Sequence, residues 1–120
     1  MAVTPLLVVD GANVVGSVPD GWWRDRRGAA ERLRDHLATR AEGEEIVLVV
    51  EGAARGVASV PGVRVDEAPG SGDDRIVELA AAAAEQGRTC VVATADRELR
   101  ERVRRHGAEC IGPRTVHPKG

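Results

Sequence analysis

The chain alternates between two kinds of pattern, and that alternation restricts the folds open to it. Short aliphatic runs recur at Pro5–Asp10 (PLLVVD), Glu45–Gly52 (EIVLVVEG), Val63–Ala68 (VRVDEA), Thr89–Asp96 (TCVVATAD) and Ala108–Gly112 (AECIG). Runs of this length, rich in β-branched residues, read as strands. The second is apolar without a break, as expected of a strand buried on both faces of a parallel sheet. Val63–Ala68 is shorter and more polar, and suits an edge. Strands separated by helical patterns imply right-handed βαβ units, and therefore a parallel sheet of four or five strands.

The helical patterns lie between these runs. One spans Trp22 to Ala41, with Asp20 as its N-cap and Trp23, Ala30, Leu33 and Leu37 along one face. A second opens at Asp73 and closes at Gly87, and a third runs from Arg97 to His106 with Gly107 just past its end. At 120 residues the chain suits a single domain, expected over residues 1–114, with a loose tail over 115–120. Trp22 and Trp23 are its only aromatic residues, so the core has to be aliphatic.

The net charge of −2 speaks against a nonspecific nucleic-acid coat. All basic residues but Lys119 are Arg, which suits bidentate phosphate contacts and equally reflects a GC-rich genome. Cys90 and Cys110 each stand in an apolar stretch without metal-ligand spacing, as buried thiols in a reducing compartment would. No basic segment precedes the first apolar run, and Leu6–Val9 is too short for a signal peptide or a membrane span. A cytoplasmic location is expected.

The chemistry gathers at the strand ends. Asp10, Glu51 and Asp96 each close a run, and Asp73-Asp74 open the helix that feeds the Asp96 strand. In a parallel sheet these ends share one edge, where ligands bind at the reversal of strand order. Converging carboxylates repel unless protonated or bridged by a cation. Mg²⁺ or Mn²⁺ fits oxygen donors, activates water and neutralises phosphoryl charge. Each acid alone has a plainer reading: a helix cap for Asp73 and Asp74, a turn residue for Asp10 and Asp96, a solvated loop acid for Glu51. Glu78 lies one turn beyond Asp74, a like-charge pair that a cation would relieve. Other chemistries fit poorly. GANVVG lacks the Lys-Ser/Thr of a P-loop, and no Ser stands in a nucleophile elbow. His36, His106 and His117 have no ligand spacing.

Three blocks, VVDGANVVG, SGDDRIVELA and VVATADRELRERV, resemble in order and spacing the NYN branch of the PIN-like ribonucleases, the bacterial YacP-like proteins above all. The resemblance runs from Leu6 to Arg114. It implies a three-layer α/β fold with helices on both faces of the sheet, and an Mg²⁺- or Mn²⁺-dependent endoribonuclease that cuts RNA with metal-activated water. By position it implies Asp10, Asp73 and Asp96 as catalytic metal ligands, Asp74 as a further ligand, and Asn13 as an orienting or phosphate-touching residue. Thr94 would support Asp10 from behind, and Glu51 would stand in the surrounding shell. The position after Gly11 is often aromatic in the family and is Ala12 here.

For substrate, Arg97 and Arg100 follow Asp96 closely enough to grip phosphates, although Glu98 and Glu101 offer them ordinary helical partners. Arg24, Arg26 and Arg27 would extend a basic track. With Trp23 in the core, Trp22 is left to stack an unpaired base. The expected partner is single-stranded or loop RNA, with a ribosome or protein partner and either a monomer or a homodimer open. Two rivals remain: a noncatalytic RNA-binding or interaction module with a structural cation, and a phosphatase. An aspartate-nucleophile phosphatase wants a second Asp two residues after the first, where this chain has Ala12.

Overall fold

The computed structural model describes residues 3–40 and 42–119; Met1, Ala2, Ala41 and Gly120 lie outside the described residues. Five strands form one sheet: β1 Leu6–Asp10, β2 Glu45–Val50, β3 Val63–Glu67, β4 Cys90–Ala93 and β5 Glu109–Ile111. Every pairing is parallel, and the order is β3-β2-β1-β4-β5. The central strands are apolar throughout because both their faces are covered. Leu7, Val9, Ile46, Leu48 and Val50 face one cluster, Leu6, Val8, Val47 and Val49 the other. Helices α1 (Gly11–Gly16) and α2 (Arg26–Ala38) close the first cluster with Val14, Leu33 and Leu37. Helices α3 (Gly72–Glu85) and α4 (Arg97–Arg104) close the second with Ile76, Leu79, Leu99 and Val103. The three layers, the parallel sheet and Val63–Glu67 as its edge agree with the pattern of the sequence.

Several local expectations need correction. The stretch after β1 is a six-residue helix, too short to leave a periodic signal. The following helix does not start at Trp22 under an Asp20 cap. Trp22–Arg24 form a 3-10 turn, and the Asp25 carboxylate caps α2 by accepting the Gly28 N–H at 2.9 Å. Gly28 lets that carboxylate come close, since any Cβ there would overlap it. With the helix beginning later, Trp23 falls off the apolar stripe and is 49% exposed, while Trp22 packs partly against the core. The last expected helical residue, Ala41, lies outside the described residues; α2 ends at Ala38. Nor is the C-terminal segment loose where it is described. Pro113–Thr115 form a 3-10 turn, Val116 is fully buried, and buried His117 accepts the Lys119 N–H on Nδ1 at 2.9 Å. Cys90 is buried and Cys110 half-buried, both as free thiols.

Candidate active site

From the central strand β1 the chain moves outward to β2 and β3, then crosses to β4 and β5 on the other side. Strand order therefore reverses between β1 and β4, and a crevice opens at their carboxyl ends. Asp10 is the last residue of β1, and Thr94 to Asp96 lead out of β4 beside it. Gly11 is required at this turn because α1 begins hard against β2. A Cβ on Gly11 would stand 2.5 Å from the Val49 carbonyl oxygen.

Asp10 is held from two sides and is only 8% exposed. Its Oδ1 accepts the Asn13 N–H at 3.3 Å, capping α1, and its Oδ2 accepts the Thr94 hydroxyl at 2.9 Å. Thr94 Oγ1 in turn accepts the Asp96 N–H at 3.2 Å, and Asn13 Oδ1 accepts the Ala95 N–H at 2.9 Å. One small network thus ties the ends of β1 and β4 together. Asp96 caps α4 through the Leu99 N–H at 3.0 Å. On the other flank, Glu51 Oε2 accepts the Gly72 N–H, the first residue of α3, at 2.6 Å. Asp73 follows in the first turn of that helix, behind the Ser71 cap. Three helix N-termini therefore point at this edge, and their positive ends offset part of the acidic repulsion.

The offset is incomplete. Burial pushes the Asp10 carboxyl up to about 6 from its ordinary 3.8, Asp73 and Glu51 repel its charge, and the bonds from Thr94 and Asn13 recover only part of the shift. Asp73 is also raised, first by burial and then by Asp96 and Glu51, with Arg102 opposing. Repulsion thus links Asp10, Glu51 and Asp73 to one another, and Asp73 to Asp96, along this edge. Asp74 is drawn apart: Arg102 Nη2 lies 2.9 Å from its Oδ1, while Arg75 takes Glu78 at 3.3 Å. The like charges of Asp74 and Glu78 are relieved by these arginines. Among the described residues, no three His, Cys, Asp or Glu side chains stand close enough together to enclose an ion.

The arginines divide. Arg97 is exposed at the first position of α4, whereas half-buried Arg100 donates Nε–H to the Thr94 carbonyl at 2.7 Å and fixes the end of β4. Exposed Arg27 donates to the Gly56 carbonyl at 3.0 Å and ties α2 to the loop after β2. Arg26 lies over the Trp22 ring, 5.3 Å from its centroid, and Trp23 meets Trp22 edge-on at 5.8 Å. Two participants escaped the sequence. Arg55 clasps the Ala68 and Pro69 carbonyls at 2.9 and 3.3 Å, and Arg102 pairs with Asp74 across helices. No spacing rule announces either contact, because each bridges elements brought together only by the fold.

An acid-lined switch point on a three-layer parallel sheet defines an α/β domain of the doubly wound kind. Among solved structures the chain is similar to Rae1 (YacP) from Bacillus subtilis, with a TM-score of 0.77, and to its W164L mutant, with a TM-score of 0.72. Identity is 24% in both, over 91% of this chain and 69% of the other. No protein-family model and no curated protein matches the sequence. The likeness is therefore one of fold.

Proposed function

We propose that the chain is a metal-dependent endoribonuclease hydrolysing phosphodiester bonds of single-stranded or loop RNA. One observation carries this reading: four carboxylates from separate segments lie along one edge at the switch point, the most buried of them pushed up to about 6. Burial against like charge is unfavourable for folding alone, and sites built for chemistry concentrate such strain. The three sequence blocks shared with the YacP-like NYN proteins and the fold shared with Rae1 (YacP) support it further.

In this reading Asp10, Asp73 and Asp96 hold Mg²⁺ or Mn²⁺, and the bound ion supplies activated water and charge neutralisation at the phosphoryl group. All donors at this edge are hard oxygens, which suits these ions. Binding would draw the three carboxylates closer than they stand. Thr94 and the Asn13 backbone N–H fix the orientation of Asp10, and Asn13 Oδ1, by holding the Ala95 N–H, keeps the β4 end in place. Glu51 anchors the first turn of α3, and with it Asp73. Exposed Arg97 is placed to meet substrate phosphate; Arg100 acts by fixing Thr94. Asp74 serves through its pair with Arg102, which lies close enough to moderate Asp73.

A second reading has its own observation. The acids already serve as helix caps and no three enclose an ion among the described residues, as a noncatalytic RNA-binding module would have it. Incubating an end-labelled, unstructured RNA with Mn²⁺, Mg²⁺ or EDTA separates the two. Metal-dependent cutting by wild type and none by Asp10→Asn supports the nuclease. RNA binding without turnover in either metal favours the module.

A further inference from the structure

Beside the acids lies a cleft of about 510 Å³ that the chemistry above does not use. We infer that it is a pocket for one unpaired guanine base, which Trp22 and Arg26 stack and Glu51 reads; this rests on the RNA-directed reading of the neighbouring site. The cleft shares Gly11 and Glu51 with the acidic edge, so a base lodged in it lies next to the residue that follows Asp10. Its volume lies in the range of sites that enclose a small ligand.

The lining matches a heteroaromatic ring. The floor is aliphatic, from Val15, Ala30 and Val50, and Gly11 and Ala12 leave the space above it open. Trp22 forms a wall and is held before any ligand arrives: it packs against the core cluster, with its ring edge near Gly16, where an added Cβ would meet it at 3.7 Å. A fixed indole loses little freedom on stacking, and Arg26 adds a cation over the same ring.

Glu51 supplies selectivity. It is the one carboxylate of the cleft, and the Gly72 N–H clamps its Oε2 in place. Gly72 allows this, since a Cβ there would stand 3.3 Å from the carboxyl group. A carboxylate only accepts hydrogen bonds. Guanine alone among the four bases offers two adjacent donors, N1–H and the 2-amino group, that meet a carboxylate side by side. Uracil flanks its single N–H with carbonyl oxygens, and adenine and cytosine set a ring acceptor beside their amino group. A site built to bond a donor rejects an analogue that lacks it.

Mononucleotides test this without any cleavable bond. The 5′-monophosphates of guanosine, inosine, adenosine, cytidine and uridine are titrated into the protein in EDTA. The background is Trp23→Phe, so that the quenched fluorescence is that of Trp22. The guanosine nucleotide should bind at least tenfold more tightly than the inosine nucleotide, which lacks the 2-amino group, and than the uridine one. Glu51→Gln should abolish that preference, and Ala12→Tyr, which fills the cleft, should abolish quenching while the circular dichroism stays unchanged. Equal affinity for all five, or a preference that survives Glu51→Gln, overturns the assignment. So does an unquenched Trp22 in a protein that nonetheless cuts RNA. Guanosine binding by a protein inert toward RNA supports the pocket and removes the nuclease reading.

Discussion

The two edges of the sheet handle charge in opposite ways. At the amino edge, Arg88 meets Glu45 at 2.9 Å and donates to the Thr4 carbonyl at 2.8 Å, and Arg40 meets Glu44 at 3.5 Å. Glu44 and Glu45 there each have a cation. At the carboxyl edge, Asp10, Glu51, Asp73 and Asp96 hold no arginine among the described residues, whereas Asp66 and Asp74 beyond them pair with Arg75 and Arg102. The same parallel sheet thus carries one edge arranged for folding and one that folding alone does not favour. In the proposed reading, that difference separates structural charge from charge kept for a ligand.

Asp10→Asn is the strongest way to break the comparison. Removing the buried carboxylate should abolish metal-dependent RNA cleavage by about 10³-fold or more, the scale of losing several kcal/mol of charge stabilisation. The same substitution should raise the thermal midpoint of the metal-free protein at neutral pH, because it deletes a repelled, buried charge. Glu45→Gln at the opposite edge should leave cleavage unchanged and lower the midpoint slightly. Were Asp10→Asn to destabilise the metal-free protein, the carboxylate would be a structural cap and the contrast between the edges would fail.

Titration sharpens the same point. The folded-state value of Asp10 is about 6 against an ordinary 3.8. Its ionisation therefore opposes folding: the stability lent by the neutral form is complete below 3.8 and lost as pH rises through about 6. The shift corresponds to about 3 kcal/mol. Urea unfolding of metal-free wild type and Asp10→Asn at pH 7.5, 5.5 and 4 should show the stability gap closing across that window. A gap that stays constant would mean that Asp10 titrates as an exposed carboxylate does.

Much of this was legible in the chain, for a physical reason. Strands buried on both faces must be apolar from end to end, so β1, β2 and β4 announce themselves, and a carboxylate that ends such a run stands out. Asp10 and Asp96 were visible on that account; Asp73 was visible as an acid opening the helix that feeds the Asp96 strand, and Thr94 from its place in that strand. What could not be seen depends on where helices begin. The pattern offers Asp20 as the cap, but the Asp25 carboxylate, admitted by Gly28, caps the helix, and that later start takes Trp23 out of the core and packs Trp22 partly against it. A six-residue helix such as α1 is too short to show a period. Val116 and His117 look polar-flanked and terminal, yet they find the groove that makes them core.

Gly11 tests whether the carboxyl edge is set by backbone contact. Gly11→Ala would place its Cβ 2.5 Å from the Val49 carbonyl oxygen, so α1 has to back away from β2. A cost of about 1–3 kcal/mol is expected, along with reduced cleavage, because Asp10 and Asn13 move with the helix. Gly70→Ala is the control: it meets nothing within 4 Å, and its φ lies outside the positive range. Chemical denaturation of both variants measures the difference, and equal midpoints would show that the turn has slack the close contact does not suggest.

The smallest effect discriminates most finely between the edges. Arg88→Met removes a pair in which the arginine is largely buried, together with a bond to the Thr4 carbonyl. Arg102→Met removes a pair in which Asp74 is mostly exposed. Stability should fall by about 1 kcal/mol in the first case and by a few tenths in the second. Function should respond in the opposite order. Arg102 opposes the upward shift of Asp73, so its loss should push Asp73 further up and raise the metal concentration needed for half-maximal cleavage, while Arg88→Met leaves that concentration unchanged. Metal titrations of the two variants under identical salt measure it. A larger change from Arg88→Met would mean that charge at the two edges is coupled through the sheet, and that the division between folding charge and ligand charge does not hold.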